Sequence, residues 1–286
     1  MITQTYIARH VVAQNSYQRT LHFHDINEIL FSLNDGCTFF LGGQVYNIRR
    51  GVLILIPEGV IHRKFNPDNQ EILVDTYTLH FPLALLEAYS TPRTDFVRIY
   101  GNSAACIQIP EHMIQHTVEL FEKCLQESDG TFGSDVARNQ HFLNILLEVY
   151  PFLAKSMENE KPHSITSPLI SDMIRYISSH LASHISLDQL SGEFFVSKYN
   201  LCRQFKQETG FTIIEYINSC RIQMACRILR EEKQLTNLAV RVGFPSQSHF
   251  IHIFRRYTGV TPREYLERCK QFAEVPVHSN FSPPGA

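Results

Sequence analysis

Two segments near the C-terminus combine an apolar helical face with a polar face rich in Arg, Lys, Gln and Ser. They are KYNLCRQFKQE (198–208) and QSHFIHIFRRY (247–257). Arginine can form two hydrogen bonds with guanine, and Gln or Ser can reach base edges. Lysine and arginine also pair with phosphates, which gives affinity without sequence information. The polar faces hold Lys198, Tyr199, Cys202, Arg203 and Lys206, and Gln247, Ser248, His249, His252, Arg255 and Arg256.

The two segments belong to an internal repeat with an offset of 49 residues and no gaps. The matched positions include Phe195 with Phe244, Ser197 with Ser246, Phe205 with Phe254, Thr209-Gly210 with Thr258-Gly259, and Glu215-Tyr216 with Glu264-Tyr265. Agreement at so many spaced positions is improbable by chance. The repeat therefore predicts two copies of one supersecondary unit.

Each copy has the pattern helix, short turn, helix. Ser186, Ser197 and Ser246 are placed as N-caps, and Gly210 and Gly259 as helix ends. This is the helix-turn-helix arrangement, whose second helix enters the major groove of DNA. Ordinary packing of a helical hairpin is the alternative for either copy taken alone.

The segment that joins the copies, TIIEYINSCRIQMACRILR (212–230), has one continuous helical period. As a single helix it would be roughly 28 Å long. A rigid spacer of that length could hold two reading helices about one DNA turn, roughly 34 Å, apart. Both could then enter successive major grooves on one face of the duplex.

Composition limits the class of protein. The 286 residues are 44% hydrophobic and 19% charged, which is enough for one large or two ordinary domains. No apolar run approaches the ~20 residues of a membrane helix, and no signal peptide is recognisable. Seven scattered cysteines without a CxxC pair fit a reducing cytoplasm. Residues 165–270 hold 14 Lys/Arg and 9 Asp/Glu although the whole chain has a net charge of −2, which hints at a polyanion partner.

The first part of the chain predicts different elements. To about residue 82, short apolar runs alternate with turn signals, as in an antiparallel sandwich or barrel. Residues 111–128 and 134–156 are amphipathic, so these helices either cover the β domain or pair with a second subunit. The predicted division is a β domain over 1–157, a polar linker over 158–168, a helical domain over 169–271 and a disordered tail over 272–286.

The stretch LAVRVGFPSQSHFIHIFRRYTGVTPREYL (238–266) resembles the signature segment of the AraC/XylS family of bacterial transcription regulators. The elements that carry the resemblance are Gly243-Phe244, Ser248-His249-Phe250, Phe254 with the following basic pair, Gly259 and Thr261-Pro262. Residues 196–217 resemble the upstream half of the same module, and the resemblance as a whole covers about 105 residues. Many members of the family carry a cupin-like barrel in front that binds an effector or mediates dimerisation.

The resemblance also implies which residues read DNA. They are Tyr199, Cys202 and Arg203 in the first copy, and Gln247, Ser248 and His252 in the second. Cys202 offers little hydrogen bonding, and His252 occupies a place that Arg often holds. We therefore expect base reading to depend mainly on Arg203.

Histidines near the N-terminus form a second pattern. His22-x-His24-x3-Glu28, followed by Gly51-x5-Pro57-x-Gly59-x2-His62-x3-Asn66, resembles the two cupin motifs. In metal-binding cupins the residues that match His22, His24, Glu28 and His62 hold a divalent metal such as Fe, Mn, Ni or Zn. The same residues could instead bind polar groups of an effector, or hydrogen-bond one another.

We expect an effector pocket rather than a resident metal or cofactor. On a strand, His22 and His24 would point to the same face, since they are two residues apart. The pocket is predicted to contain His22, His24, Glu28, Tyr46 and His62, which would suit sugars or other polar metabolites. His80 lacks motif-like spacing, and we interpret it as an ordinary histidine.

The sequence thus predicts an α+β multidomain protein with an N-terminal antiparallel, cupin-like β-barrel, following helices and a C-terminal all-α double helix-turn-helix. The expected function is an effector-controlled, sequence-specific transcription regulator without catalytic residues, more often an activator than a repressor in this family. Its expected partners are double-stranded DNA, RNA polymerase and a second copy of the chain. Ser197 and Ser246 complete the predicted DNA-contact set. The alternatives are a metal-dependent cupin enzyme and a nonspecific nucleic-acid binder.

Overall fold

A computed structural model describes residues 6–14, 21–66, 73–101, 104–158 and 164–272. These residues form two compact units. The first contains the described residues up to 165 except 21–23, and the second contains 21–23 and 166–272. Within these residues, no helix has the length and apolar character needed to cross a membrane. Residues 159–163 of the predicted linker and the tail from 273 lie outside the described residues.

The first unit contains two antiparallel sheets. The larger has the strand order β1 (Ile7–Gln14), β7 (Leu73–Phe81), β2 (Asn27–Ser32), β5 (Val52–Ile56) and β8 (Ala105–Gln108). The smaller has the order β4 (Gln44–Ile48), β3 (Cys37–Leu41) and β6 (His62–Phe65). Together they confirm the predicted antiparallel, cupin-like domain.

Helices complete the first unit. They are α1 (Leu83–Tyr89), α2 (Glu111–Leu125) and α3 (Ser134–Glu158), with a π-helical turn over Val97–Gly101. One apolar cluster joins Phe31 and Leu53 of the large sheet to α2 and α3. Another joins Leu30 and Ile54 to the small sheet. Because β2 and β5 are covered on both faces, residues 52–56 form a continuous apolar run rather than an alternating one.

The second unit is entirely helical in its regular structure and confirms the predicted double helix-turn-helix. Its helices are α4 (Pro168–Ser179), α5 (Leu187–Phe194), α6 (Lys198–Thr209), α7 (Ile213–Glu232), α8 (Leu238–Arg241), α9 (Gln247–Thr258) and α10 (Pro262–Phe272). The first copy is α5 with α6, and the second is α8 with α9. The 20 residues of α7 form the predicted single connecting helix, about 30 Å long.

The repeat extends to individual hydrogen bonds. The hydroxyls of Ser197 and Ser246 cap α6 and α9 by accepting from the third backbone N–H of each helix. Both reading helices end at a glycine in the left-handed region, Gly210 with φ 81° and Gly259 with φ 76°. Thr209 and Thr258 donate to the carbonyls four residues before them. These local interactions fix the bounds of each helix in both copies.

The two copies differ in the turn that precedes the reading helix. Phe244 is 4% exposed and packs on Phe250, with ring centroids 5.4 Å apart. Its repeat counterpart Phe195 is 95% exposed and has φ 54° at the end of α5. In the second copy the left-handed residue is Gly243, one position earlier in the repeat, with φ 85°. The two turns therefore have different backbone paths although their sequences align.

A buried arginine connects α7 to both copies. Arg221 is 7% exposed and donates from Nε to the Leu181 carbonyl at 3.0 Å and from Nη2 to the Ser183 carbonyl at 2.8 Å. Its guanidinium also lies 5.7 Å from the ring centroid of Phe244. Arg221 thus links the loop before α5 to the turn before α9, and helps to fix the two copies relative to each other.

Candidate nucleic-acid interface and polar cluster

The first reading helix, α6, separates apolar from polar side chains as expected. Leu201 and Phe205 are fully buried at 0% exposure. The predicted DNA-contact residues are exposed except for Cys202, which is half-buried; the exposed ones are Ser197, Lys198, Tyr199, Arg203 and Lys206. The carboxylate of Glu208 accepts from the backbone N–H and the hydroxyl of Ser167, which anchors the end of α6 to the start of α4.

The second reading helix, α9, has the same organisation. Phe250 and Phe254 are fully buried and Ile253 is 6% exposed. All the residues predicted for DNA contact in this copy are exposed, namely Ser246, Gln247, Ser248, His249, His252, Arg255 and Arg256. The Tyr257 hydroxyl donates to the Glu215 carbonyl at 3.1 Å and fixes α9 on α7.

The basic side chains on these faces differ in whether they already form an ion pair with an acidic residue. Lys198 forms an ion pair with Asp188 at the start of α5. Arg203, Lys206, Arg255 and Arg256 form no ion pair with any residue that the structure describes. Exposed cations on the outward face of two repeated helices can bind phosphates without first breaking an internal pair.

In the first unit, a polar cluster forms around one carboxylate oxygen. Glu28 lies on β2, with its Oε2 3.0 Å from Nε2 of His24. The same oxygen lies 3.7 Å from Nε2 of His62 on β6 and 3.7 Å from Nε2 of His80 on β7. The side chains of His24, Glu28 and His62 are 14%, 10% and 2% exposed. We call Glu28, His24, His62 and His80 the Glu28 cluster.

The electrostatics of the Glu28 cluster favour an ionised carboxylate. Burial alone would raise the pKa of Glu28, but the hydrogen bond with His24 and the charges of the surrounding histidines hold that pKa well below its usual range. Burial lowers the pKa of His80 and would lower that of His24, but the hydrogen bond and charge of Glu28 raise the pKa of His24. The Glu28 carboxylate is therefore ionised and is hydrogen-bonded to His24 in a mostly buried position.

The other two residues of the predicted pocket are His22 and Tyr46. His22 belongs to the second unit, where it lines a small cavity of about 50 Å³ with Arg256 and Tyr257. The expectation that His22 and His24 share a strand face is wrong, because β2 begins only at Asn27. Tyr46 packs in the apolar cluster between the sheets, where burial raises its pKa to about 12.

His80 is the residue that sequence reasoning missed. It is the cross-strand neighbour of Glu28 in the pairing of β2 with β7. The two residues are 52 positions apart, so only the strand register could have placed His80 beside Glu28.

The two units define a class of protein. One carries duplicated helix-turn-helix elements with exposed basic reading faces, and the other is an antiparallel β domain with a mostly buried polar cluster. This is the organisation of a DNA-binding regulator with a ligand-binding domain. Residues 6–150 match the family described as "AraC-like ligand binding domain", and residues 190–268 match "Helix-turn-helix domain". The chain belongs to the AraC family of transcriptional regulators.

Curated relatives agree with this family. The chain is 27% identical over 244 residues to the HTH-type transcriptional activator RhaS of Escherichia fergusonii, covering 85% of this chain and 86% of that protein. RhaS of Escherichia coli is 27% identical over 248 residues with the same coverage.

Solved structures give looser similarities. Fatty-acid-bound ToxT of Vibrio cholerae overlays with a TM-score of 0.39 at 15% identity, covering 92% of this chain and 95% of that chain. The C-terminal domain of the response regulator AraT of Geobacillus stearothermophilus overlays with a TM-score of 0.36 at 25% identity, covering 43% of this chain and 97% of that chain.

Proposed function

We propose that this chain is a sequence-specific regulator of transcription that acts in the cytoplasm and is controlled by a small polar effector. The observation that carries the proposal is the pair of exposed reading faces on α6 and α9, each held by a serine N-cap, a glycine at its end and a buried phenylalanine at the matching position. Arg203 supplies base recognition, and Lys206, Arg255 and Arg256 supply phosphate contacts.

The effector acts through the β domain. A polar molecule that binds near Glu28, His24 and His62 changes the relative stability of two states of the regulator. It can do so only by the difference between its affinities for those states. We assign no catalytic residue.

The regulator works as a homodimer and contacts RNA polymerase. Exposed apolar side chains on α3 support a second copy as a partner, because Val136, Leu147 and Tyr150 are 65%, 56% and 46% exposed. The name of the RhaS relatives, transcriptional activators, favours activation over repression.

The assignment of Arg203 is tested by comparing two exposed cations of α6. We expect Arg203→Ala to lose sequence discrimination, at a cost of about 1–3 kcal/mol at one base position. Lys206→Ala should weaken binding to all sequences by a similar factor, because a phosphate contact carries no sequence information. The measurement is the affinity of each variant for the preferred site and for random DNA.

Two results of these affinity measurements would contradict the roles assigned to α6. If Arg203→Ala binds the preferred site and random DNA in the wild-type ratio, Arg203 does not read a base. If both variants also keep wild-type affinity, α6 does not contact DNA and the proposed function fails for this copy.

A further inference from the structure

The β domain contains a buried lysine without a counter-ion. Lys64 on β6 is 8% exposed. With the residues that the structure describes, it forms no hydrogen bond and no ion pair. Lysine is rarely buried unless it is paired, because removing an ammonium group from water costs free energy that only a partner can offset. Lys64 therefore lowers the stability of the fold that contains it, which is typical of a residue kept for function.

Strand register points the Lys64 side chain between the two sheets. Phe39 on β3 is the cross-strand neighbour of Lys64 on one side and of Tyr46 on the other. Directly opposed residues of neighbouring strands point to the same face of a sheet. This face packs on the large sheet, since Phe39 and Tyr46 share an apolar cluster with Ile54 of β5.

Tyr46 is a second donor on the same face. It is also 8% exposed, and its hydroxyl forms no hydrogen bond with any residue in the described part of the chain. A buried tyrosine hydroxyl usually has a partner. Since only the strand of Phe39 separates Tyr46 from Lys64, their Cα atoms are about 10 Å apart. Both side chains are long enough for their polar ends to reach one small group between them.

The charges near Lys64 leave room for one more anion. The groups whose charge reaches its ammonium are the Cys37 thiol and the Glu28 carboxylate, and burial lowers the pKa of Lys64. The Glu28 carboxylate is already hydrogen-bonded to His24 and forms no ion pair with Lys64. The missing partner of Lys64 is therefore an acceptor that carries a negative charge.

We propose that Lys64 and Tyr46 bind a carboxylate group of the effector, Lys64 as an ion pair and Tyr46 as a hydrogen-bond donor. The inference rests on the proposed control by an effector and narrows the effector to a carboxylic acid. A carboxylate carries one negative charge, which matches one ammonium, whereas a phosphate group carries nearly two. The apolar side chains of Phe39 and Ile54 beside the two donors suit the carbon atoms that carry the carboxylate.

The test uses the full chain, no DNA and a small carboxylate as the probe. Thermal unfolding is followed in increasing sodium acetate, with acetamide as the neutral probe of the same size and with ionic strength held constant by sodium chloride. Acetate should raise the unfolding temperature with concentration, because a ligand that binds only the folded state stabilises it. If acetate raises that temperature no more than acetamide does, the proposal is overturned.

Variants assign the acetate effect to Lys64. Lys64→Met keeps the length of the side chain, so it should unfold at a higher temperature than the wild type without acetate and should lose the shift with acetate. Tyr46→Phe should weaken acetate binding by about 10-fold, because it removes one hydrogen bond to a charged group. Lys123→Met removes an exposed charge from α2 and is the matched control, which should keep the full shift. An acetate shift of wild-type size in Lys64→Met would contradict the assignment.

The selection of DNA sites tests the proposed function separately. A chain that binds acetate through Lys64 but prefers no DNA site keeps this assignment and loses the proposed function. A chain that prefers a DNA site but shows no acetate shift that depends on Lys64 loses this assignment and keeps the proposed DNA recognition.

Discussion

Gly243→Ala is expected to lower the free energy of unfolding of the second unit by at least about 2 kcal/mol. Gly243 has φ 85°, and an added Cβ would lie 2.2 Å from the Leu181 carbonyl oxygen and 3.0 Å from Nε of Arg221. The carbonyl is backbone and is also the acceptor for Arg221. The methyl group must therefore displace the link between α7 and the two copies. The loss of unfolding free energy is measured by chemical unfolding of the full chain, monitored with a signal that reports only on the helical unit.

Gly259→Ala is the matched control. Gly259 has φ 76°, but among the described residues other than its chain neighbours no heavy atom lies within 4 Å of the position that its Cβ would occupy. Alanine there costs only the left-handed conformation, about 1–2 kcal/mol. Because both glycines need a positive φ, the difference between the variants isolates the close approach at Gly243. Equal losses of unfolding free energy in the two variants would show that the close approach to the Leu181 carbonyl does not affect stability.

The second large effect is expected on DNA binding. Replacing Lys206, Arg255 and Arg256 together by alanine should lower affinity by about 100-fold or more at physiological salt. The slope of log K against log salt should fall by about three, since each phosphate contact contributes about 0.9. The losses should be nearly the same for preferred and random DNA. Binding isotherms at several salt concentrations give both quantities.

A control variant removes the same charge from another surface. Arg263, Arg268 and Lys270 are exposed on α10 rather than on a reading helix. Their triple alanine variant should keep most of the affinity and most of the salt slope. If this control variant loses as much DNA affinity and salt slope as the first variant, net charge drives binding. The α6 and α9 faces are then not the interface.

The helical unit could be predicted in detail because its determinants are local. Ser197, Gly210, Ser246 and Gly259 act within one turn of the helix that each bounds, so their spacing alone gives the bounds of α6 and α9. Because the two copies align at an offset of 49 residues, the helix bounds predicted in one copy support those predicted in the other. The burial of Phe250 and Phe254 follows from the same helical period.

The β domain could be predicted only in class, because its pairings are nonlocal. The sequence did not indicate β8, whose four residues form an edge strand only through pairing with β5. His80 joins Glu28 through strand register, which no local pattern reveals. The motif spacing of His22 and His24 was misleading, because a two-residue spacing shares a face only on a strand, and residues 23–26 are not one.

The most direct test of the central claim is the selection of bound sites from random DNA, followed by a spacing assay on the selected site. If α6 and α9 contact one duplex, the site should contain two recognised blocks about one helical turn apart, and affinity should exceed that for random DNA by roughly 10³ or more. Inserting half a turn between the blocks should remove most of that preference, because α7 is a rigid spacer. A single recognised block, or an affinity that does not change with the insertion, would contradict the account.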